Sequence, residues 1–195
     1  MSDSLTVDDL FSLEEYSQRR AAFREEVMKH KKDRRIALGP NLTLYFESKL
    51  TIQYQVQEML RIEKIFEKKA IEEELNAYTA LVPDSYNFKA TMMLEYTDES
   101  VRRRKLRELK GIERGVWFQV GDQDKIFAIA DEDLEREDRD KTSAVHFLRF
   151  PVSEEMAEEL RNGAKIMVGV EHPSFQLKPI TLSERAYQSL LVDIN

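Results

Sequence analysis

Three side chains in this sequence, Glu63, His146 and His172, have types and surroundings suited to binding one metal ion. Helical spacing from Ile52 places Glu63 in the apolar stripe of its segment, where an ionised carboxylate is costly unless it is paired. Each histidine lies on a segment with strand-like alternation and is in phase with apolar side chains. Two imidazoles and one carboxylate form a ligand set typical of divalent transition metals. The pattern therefore predicts an internal metal site, although no helical His-Glu motif accompanies it.

A purely structural role is the alternative for these side chains. Glu63 would then form a buried ion pair with Arg20 or Arg35, and such a pair by itself indicates neither stability nor catalysis. The two histidines would be hydrogen-bonded core residues. The remaining histidine, His30, lies at the end of a predicted helix, and we interpret it as a residue that bonds the last carbonyl groups. The sequence leaves the metal site and the structural role open.

Carboxylates at strand ends form a second candidate site. Glu47, Glu95 and Glu171 each lie on the less apolar face of a predicted strand, and two of them could act as an acid–base pair if they converged. Exposed charge at a sheet edge is the commoner use of such residues. Gln55 and Glu63, together with neighbouring aromatic side chains, could instead line the polar pocket of a small-molecule sensor. The complete candidate polar site comprises Glu47, Gln55, Glu63, Glu95, Arg149 and Glu171.

Composition and charge exclude several classes of protein. The chain of 195 residues has no cysteine, so it cannot supply disulfides, thiolate metal ligands or a cysteine nucleophile. Its net charge of -7 argues against general binding to nucleic acids or anionic membranes. Phosphate-loop, dinucleotide-binding and nucleophile-elbow motifs are absent. The acidic first ten residues do not resemble a signal peptide, and no apolar run approaches about 18 residues, so we expect a cytoplasmic protein.

Apolar periodicity and turn residues predict an α+β fold in a single domain, residues 1–195. We expect a largely antiparallel sheet, a long N-terminal helix pair and a C-terminal helix. The helix pair is predicted at residues 13–34 and 50–69, and a hairpin that turns at Gly39-Pro40-Asn41 separates the two helices. The sequence leaves open whether the second helix ends there or continues, straight or with a kink, over residues 71–81. The other predicted elements are strands or hairpins at 89–96, 115–130, 143–150 and 165–172, helices at 98–109, 153–161 and 182–191, and a mixed-charge loop or short helix at 131–141.

Seven short motifs, in the same order, resemble those of a bacterial family known as domain of unknown function 3501. They are RRIALGP at 34–40, YFE at 45–47, QVQEMLRIE at 55–63, LVP at 81–83, ATMMLE at 90–95, SAVHFLRF at 143–150 and VEHP at 170–173. The resemblance covers most of the chain. It supplies no catalytic residues that could be carried over to this sequence.

The genes of that family are often found near those of rubrerythrin and of a cysteine-rich iron–sulfur oxidoreductase. The resemblance therefore implies an accessory or interaction protein of a bacterial cytosolic redox or peroxide-response system, with one of these proteins as its partner. We also expect a homo-oligomer. The alternatives that the sequence leaves open are a metal-binding protein or enzyme with an internal Glu/His site, and a small-molecule sensor. The sequence identifies no cofactor.

Overall fold

The computed structural model describes residues 4–84, 86–130 and 141–194. The loop or short helix predicted at 131–141 therefore lies almost entirely outside the described residues. A short 3-10 turn, Val7–Asp9, precedes the first helix. The α-helices of the described residues are α1 (Leu13–Asp33), α2 (Lys49–Glu63), α3 (Lys68–Thr79), α4 (Glu99–Glu108), α5 (Ile112–Gly115), α6 (Glu154–Arg161) and α7 (Glu184–Leu191).

Within the described residues the strands form two antiparallel sheets, which confirms the predicted α+β class. One sheet has five strands in the order β1-β2-β3-β7-β6, and the other has four in the order β5-β4-β8-β9. The strands are β1 (Arg35–Ala37), β2 (Leu42–Phe46), β3 (Asn87–Leu94), β4 (Val116–Val120), β5 (Ile126–Phe127), β6 (Ile129–Ala130), β7 (Val145–Pro151), β8 (Ile166–Val170) and β9 (Ile180–Thr181). The predicted hairpin of β1 and β2 is present, and Gly39 at its turn has a φ of 101°.

Phenylalanine side chains from both sheets form the centre of the main core. The Phe118 ring of β4 lies edge-on to Phe88 of β3 and Phe150 of β7, with centroid distances of 5.7 and 5.6 Å. Phe46 of β2 extends the cluster at 6.2 Å from Phe88. Edge-to-face contact adds to the stabilisation that burial of each ring provides. The inner faces of the two sheets are therefore packed against each other.

The segment of residues 126–130 pairs with both sheets. Its first part, β5, pairs with β4, and its second part, β6, pairs with β7. Between them, the Ala128 amide donates to the Val116 carbonyl at 2.8 Å. One short stretch of chain thereby closes the space between the sheets on one side.

The predicted N-terminal helix pair is confirmed by α1 and α2. Tyr16 and Val27 of α1 are fully buried, and the Arg20 guanidinium donates to both oxygens of Glu58 at 2.7 and 2.8 Å. The hydrogen bond from Arg20 is the main cause that lowers the pKa of Glu58 to about 2, so the pair stays ionised near neutral pH. A helix–helix ion pair at Arg20 was an expectation from the sequence, but its carboxylate is Glu58 and not Glu63.

The second helix ends earlier than its sequence pattern predicts. It stops at Glu63, and the next residue, Lys64, adopts the left-handed conformation with a φ of 55°. Helix α3 (Lys68–Thr79) then follows, so the helix predicted over residues 50–69 is wrong at residues 64–67, whereas the further helix expected after a kink is present. None of the helices in the described part of the chain is long and apolar enough to cross a bilayer.

Candidate functional site

The predicted metal site of Glu63, His146 and His172 is not assembled in the structure. Glu63 is exposed at the end of α2, whereas His146 is completely buried in β7. His172 lies beyond β8, where its Nε2 is 3.0 Å from the Lys110 carbonyl and its Nδ1 accepts from the Ser174 amide at 3.2 Å. Among the described residues, no group of three or more His, Asp and Glu side chains could hold a metal ion. The structure therefore does not bring these three side chains together.

Glu63 faces solvent because burial along the apolar stripe of α2 stops before the helix does. Leu60 is 2% exposed, whereas Glu63, the last residue of the helix, is exposed. No glycine or proline marks this end, because a lysine occupies the left-handed position that usually favours glycine. Arg35, the other arginine considered as a partner of Glu63, donates instead to the Tyr45 hydroxyl at 3.3 Å.

The strand-end carboxylates are held apart by the sheet. Glu47 and Glu95 lie at opposite ends of β2, since the Glu47 amide bonds the Lys89 carbonyl and the Glu95 amide bonds the Asn41 carbonyl. Glu171 follows a strand of the other sheet and forms an ion pair with Lys125 at 2.6 Å. The structure therefore does not place two of these carboxylates together as an acid–base pair.

Glu47 differs from the other two carboxylates because it is buried. Its two oxygens accept hydrogen bonds from the Thr51 and Thr91 hydroxyls, each at 2.6 Å. Glu95 is exposed and accepts from the Thr43 hydroxyl at 2.9 Å. Hydrogen bonds to both oxygens compensate for the burial of the carboxylate. The contacts of Glu47 connect the start of α2 to β3 and therefore stabilise the fold.

The remaining members of the predicted polar site, Gln55 and Arg149, lie in different secondary-structure elements. Gln55 is partly buried in α2, and Arg149 lies in β7 opposite Lys89. The neighbouring amide Gln57 is fully buried. Its oxygen accepts from the Phe11 amide at 2.6 Å and its nitrogen donates to the Phe11 carbonyl at 3.3 Å. This amide therefore anchors the segment before α1 and does not line a ligand pocket.

His146 instead belongs to a buried group that we call the internal polar cluster, Glu113, Thr142 and His146. The Thr142 hydroxyl lies 2.7 Å from His146 Nε2 and 3.1 Å from Glu113 Oε2. The carboxylate oxygen and the imidazole nitrogen are 3.7 Å apart. All three residues are at most 2% exposed.

Three parts of the chain position the internal polar cluster. Glu113 lies in the four-residue helix α5, and His146 faces the core from β7, as the alternation of that strand predicted. Thr142 precedes β7, and its amide donates to the Leu106 carbonyl at 3.0 Å. Sequence reasoning identified His146 but missed Glu113 and Thr142. The only signal for Thr142 was its closeness to His146 in the chain, and a helix of four residues is too short to show a periodic face.

A carboxylate, a hydroxyl and an imidazole at these distances can share protons or coordinate a cation. Burial excludes water around them and strengthens each electrostatic contact. The same burial leaves no open surface at which a large substrate could meet these groups. The cluster is therefore suited to a small ligand or to a structural role.

A second notable surface lies at residues 61–69, which we call the α2–α3 elbow. Two apolar side chains project from it, since Ile62 is 61% exposed and Phe66 is 70% exposed. Four of its nine residues are cationic and two are anionic, on a chain whose net charge is -7. Phe66 lies three residues beyond the end of α2, outside the apolar stripe of that helix, and its ring is in solvent.

Comparisons with known proteins agree with the motif resemblance. A family model described as "Protein of unknown function (DUF3501)" matches residues 4–194. The crystal structure of a novel protein of unknown function from Burkholderia pseudomallei K96243 is similar to this chain, with 44% sequence identity and a TM-score of 0.93. That match covers 98% of this chain and 100% of the other. No curated protein matches this sequence.

Proposed function

The chain belongs to the DUF3501 family of proteins of unknown function, and we propose that it is a non-catalytic accessory protein that binds a redox protein through the α2–α3 elbow. The observation that carries this proposal is the exposure of Phe66 and Ile62 on one short segment. Such exposure of neighbouring large apolar side chains is typical of an interaction site.

The elbow has the chemical composition of a protein-binding surface. Covering a fully exposed phenylalanine contributes about 1.5–3 kcal/mol, which makes Phe66 a suitable anchor residue. The left-handed backbone at Lys64 ends α2 and turns the chain, so that Ile62 and Phe66 flank a sharp bend. The left-handed conformation of a residue other than glycine reduces the stability of the fold by about 1–2 kcal/mol, and such backbone strain is often retained at functional sites.

Charge favours an acidic partner for this surface. The cations of the elbow, Arg61, Lys64, Lys68 and Lys69, are neighbours of the apolar residues in the chain. Lys68 and Lys69 are highly exposed, and their ion pairs with Glu72 and Glu73 are long, at 3.9 and 3.7 Å. Pairs of this kind contribute little to stability, so the lysines can exchange them for carboxylates of a partner at small cost. Charges at the rim of an interface mainly accelerate association.

The proposed partner is the rubrerythrin or the iron–sulfur oxidoreductase that the family resemblance implies. The absence of cysteine from this chain supports an accessory role, because thiolate-bound redox centres would then belong to the partner. We propose that this interaction takes place in the cytoplasm. Self-association of the chain is a separate expectation, and the oligomeric state of the elbow variants described below tests it.

Binding of each purified partner, measured by calorimetry at low salt, tests the proposal. We expect Phe66→Ala to weaken binding at least 10-fold, because the ring is the buried anchor. Tyr86→Ala is the matched control, since Tyr86 is an aromatic residue with 61% exposure outside the elbow. The Lys68→Glu/Lys69→Glu double variant should slow association about 10-fold and remove most of its salt dependence.

Two results would contradict this function. One is the absence of binding to either partner at 100 µM protein, and the other is an equal effect of Phe66→Ala and Tyr86→Ala. Analytical ultracentrifugation of the chain alone completes the test. If Phe66→Ala converts an oligomer into a monomer, the elbow is an interface between identical chains, and the redox partner does not bind there.

A further inference from the structure

We propose that the internal polar cluster of Glu113, Thr142 and His146 binds one divalent transition-metal ion. This site differs from the one predicted from the sequence, because it uses neither Glu63 nor His172. It is also independent of binding at the α2–α3 elbow, so either proposal can fail without the other.

The spacing of the three ligand atoms fits a single ion. A metal about 2.1 Å from each ligand requires ligand–ligand separations of roughly 3.0 Å at right angles and roughly 3.4 Å in a tetrahedron. The observed separations are 2.7 Å between His146 Nε2 and Thr142 Oγ1, 3.1 Å between Thr142 Oγ1 and Glu113 Oε2, and 3.7 Å between the nitrogen and the carboxylate. These values bracket the required range, so shifts of a few tenths of an ångström would complete the arrangement.

The chemistry of the ligands selects the class of ion. One imidazole nitrogen and two oxygens, with no sulfur, suit Mn²⁺, Fe²⁺ or Zn²⁺ better than Ca²⁺, which prefers oxygen ligands, or Cu(I), which prefers sulfur. The carboxylate of Glu113 supplies negative charge in a site that is shielded from water, where the attraction to a cation is strongest. The other carboxylate oxygen of Glu113 lies 3.8 Å from Arg114 Nε, so Oε2 is the oxygen directed at the other two ligands.

The same atoms can form a chain of hydrogen bonds without a metal. His146 Nε2–H would then donate to the Thr142 hydroxyl, which would donate to Glu113 Oε2. The metal requires the opposite tautomer, with Nε2 unprotonated and the proton on Nδ1. The two arrangements therefore differ in whether the chain takes up a cation, and this difference is measurable.

The number of histidines makes a direct test possible. The chain has three, and the His30→Gln/His172→Gln double variant leaves His146 as its sole imidazole. Protein purified without an affinity tag is treated with EDTA, exchanged into metal-free buffer and titrated with MnCl₂. Native mass spectrometry gives the stoichiometry, and pulsed electron paramagnetic resonance of the bound Mn²⁺ detects coupling to a histidine nitrogen.

We expect one Mn²⁺ per chain with coupling to one imidazole, in both the natural sequence and the double variant. At a free metal concentration about 100 times the dissociation constant, the melting temperature should rise by about 5 °C or more. Glu113→Gln and His146→Gln, if folded by circular dichroism, should weaken binding at least 100-fold. Glu95→Gln, a change at an exposed carboxylate, should not.

Three results would overturn the proposal. They are no bound Mn²⁺ at 100 µM free metal, a bound ion without nitrogen coupling, and a nitrogen coupling that disappears in the double variant. None of them depends on the folding of a protein altered at a buried position, since both deciding samples retain the internal polar cluster.

Discussion

His30 is a partly buried imidazole at the end of α1, and its ring faces the start of α2. Its Nε2 lies 2.9 Å from the Ser48 hydroxyl, which also caps α2 by accepting from the Thr51 amide. Burial, assisted by the positive charge of Arg34, lowers the pKa of His30 to about 4. The ring is therefore neutral at pH 7, and it contacts this hydroxyl and not the last carbonyl groups of the helix, which were the partners predicted from the sequence.

The lowered pKa of His30 predicts a loss of stability in mild acid. As the pH falls below about 6.5, the unfolded chain takes up a proton that the folded chain takes up only near pH 4, so the free energy of unfolding decreases across this window. We expect a contribution of about 1–2 kcal/mol, because the ring is only partly buried. Urea unfolding of the natural sequence and of His30→Gln, at pH 7 and at pH 4.5, measures it.

The variant should lose less stability between the two pH values than the natural sequence does. His172→Gln is measured in parallel as the control for replacing a histidine. An identical pH dependence for His30→Gln and the natural sequence would show that the histidine is protonated equally in both states.

At the scale of elements, the end of α2 determines the shape of the N-terminal helices. Ser48 and Thr51 form a capping box at its start, and its other end is the left-handed Lys64. Ile65 then turns inward, and its amide donates to the Leu60 carbonyl at 3.0 Å. The left-handed residue is thus followed by a partly buried isoleucine and then by the exposed Phe66.

Lys64→Gly should increase the free energy of unfolding by about 0.5–1 kcal/mol. Glycine adopts the left-handed conformation without the steric cost that a lysine has there, although the greater freedom of the unfolded chain offsets part of the gain. Lys69→Gly is the matched control inside α3, and it should decrease stability by about 0.5–1 kcal/mol. Urea unfolding measures both variants. A loss of stability in Lys64→Gly would mean that the lysine side chain has contacts that outweigh its backbone strain.

For the whole molecule, one buried guanidinium joins the N-terminal helix pair to the C-terminal helix. Arg34 donates to both oxygens of Asp193 at 2.7 and 2.9 Å, to the Glu47 carbonyl at 2.9 Å and to the Ser189 hydroxyl at 3.1 Å. Its side chain is only 2% exposed. The arginine therefore connects residues more than 150 positions apart in the chain.

Asp193→Asn should reduce the free energy of unfolding by about 3–5 kcal/mol, because it leaves the Arg34 charge buried without its carboxylate. The measurement is urea unfolding at pH 7. Glu99→Gln removes a carboxylate from the exposed pair with Arg103 and should change stability by less than about 0.5 kcal/mol. Equal effects of the two substitutions would show that the contact with Asp193 contributes no more than a surface ion pair.

Local patterns in the sequence were sufficient for most of the elements. The turn at Gly39 defines the first hairpin, and alternation along β7 correctly placed His146 inside. The helix pair, the C-terminal helix and the α+β class were likewise predicted. These features depend on residues close together in the chain, where periodicity and turn propensity act directly.

Only the tertiary structure decided which polar side chains meet. Glu113 and His146 are far apart in the chain and share one buried site because a four-residue helix packs beside β7. Arg20 pairs with Glu58, whereas Glu63, at the end of α2, is exposed to solvent because no other element covers that end of the helix. The sequence by itself determined the elements and their inward faces, since these follow from local spacing. The partners of the buried charges depend on how distant segments pack, and local spacing carries no information about that.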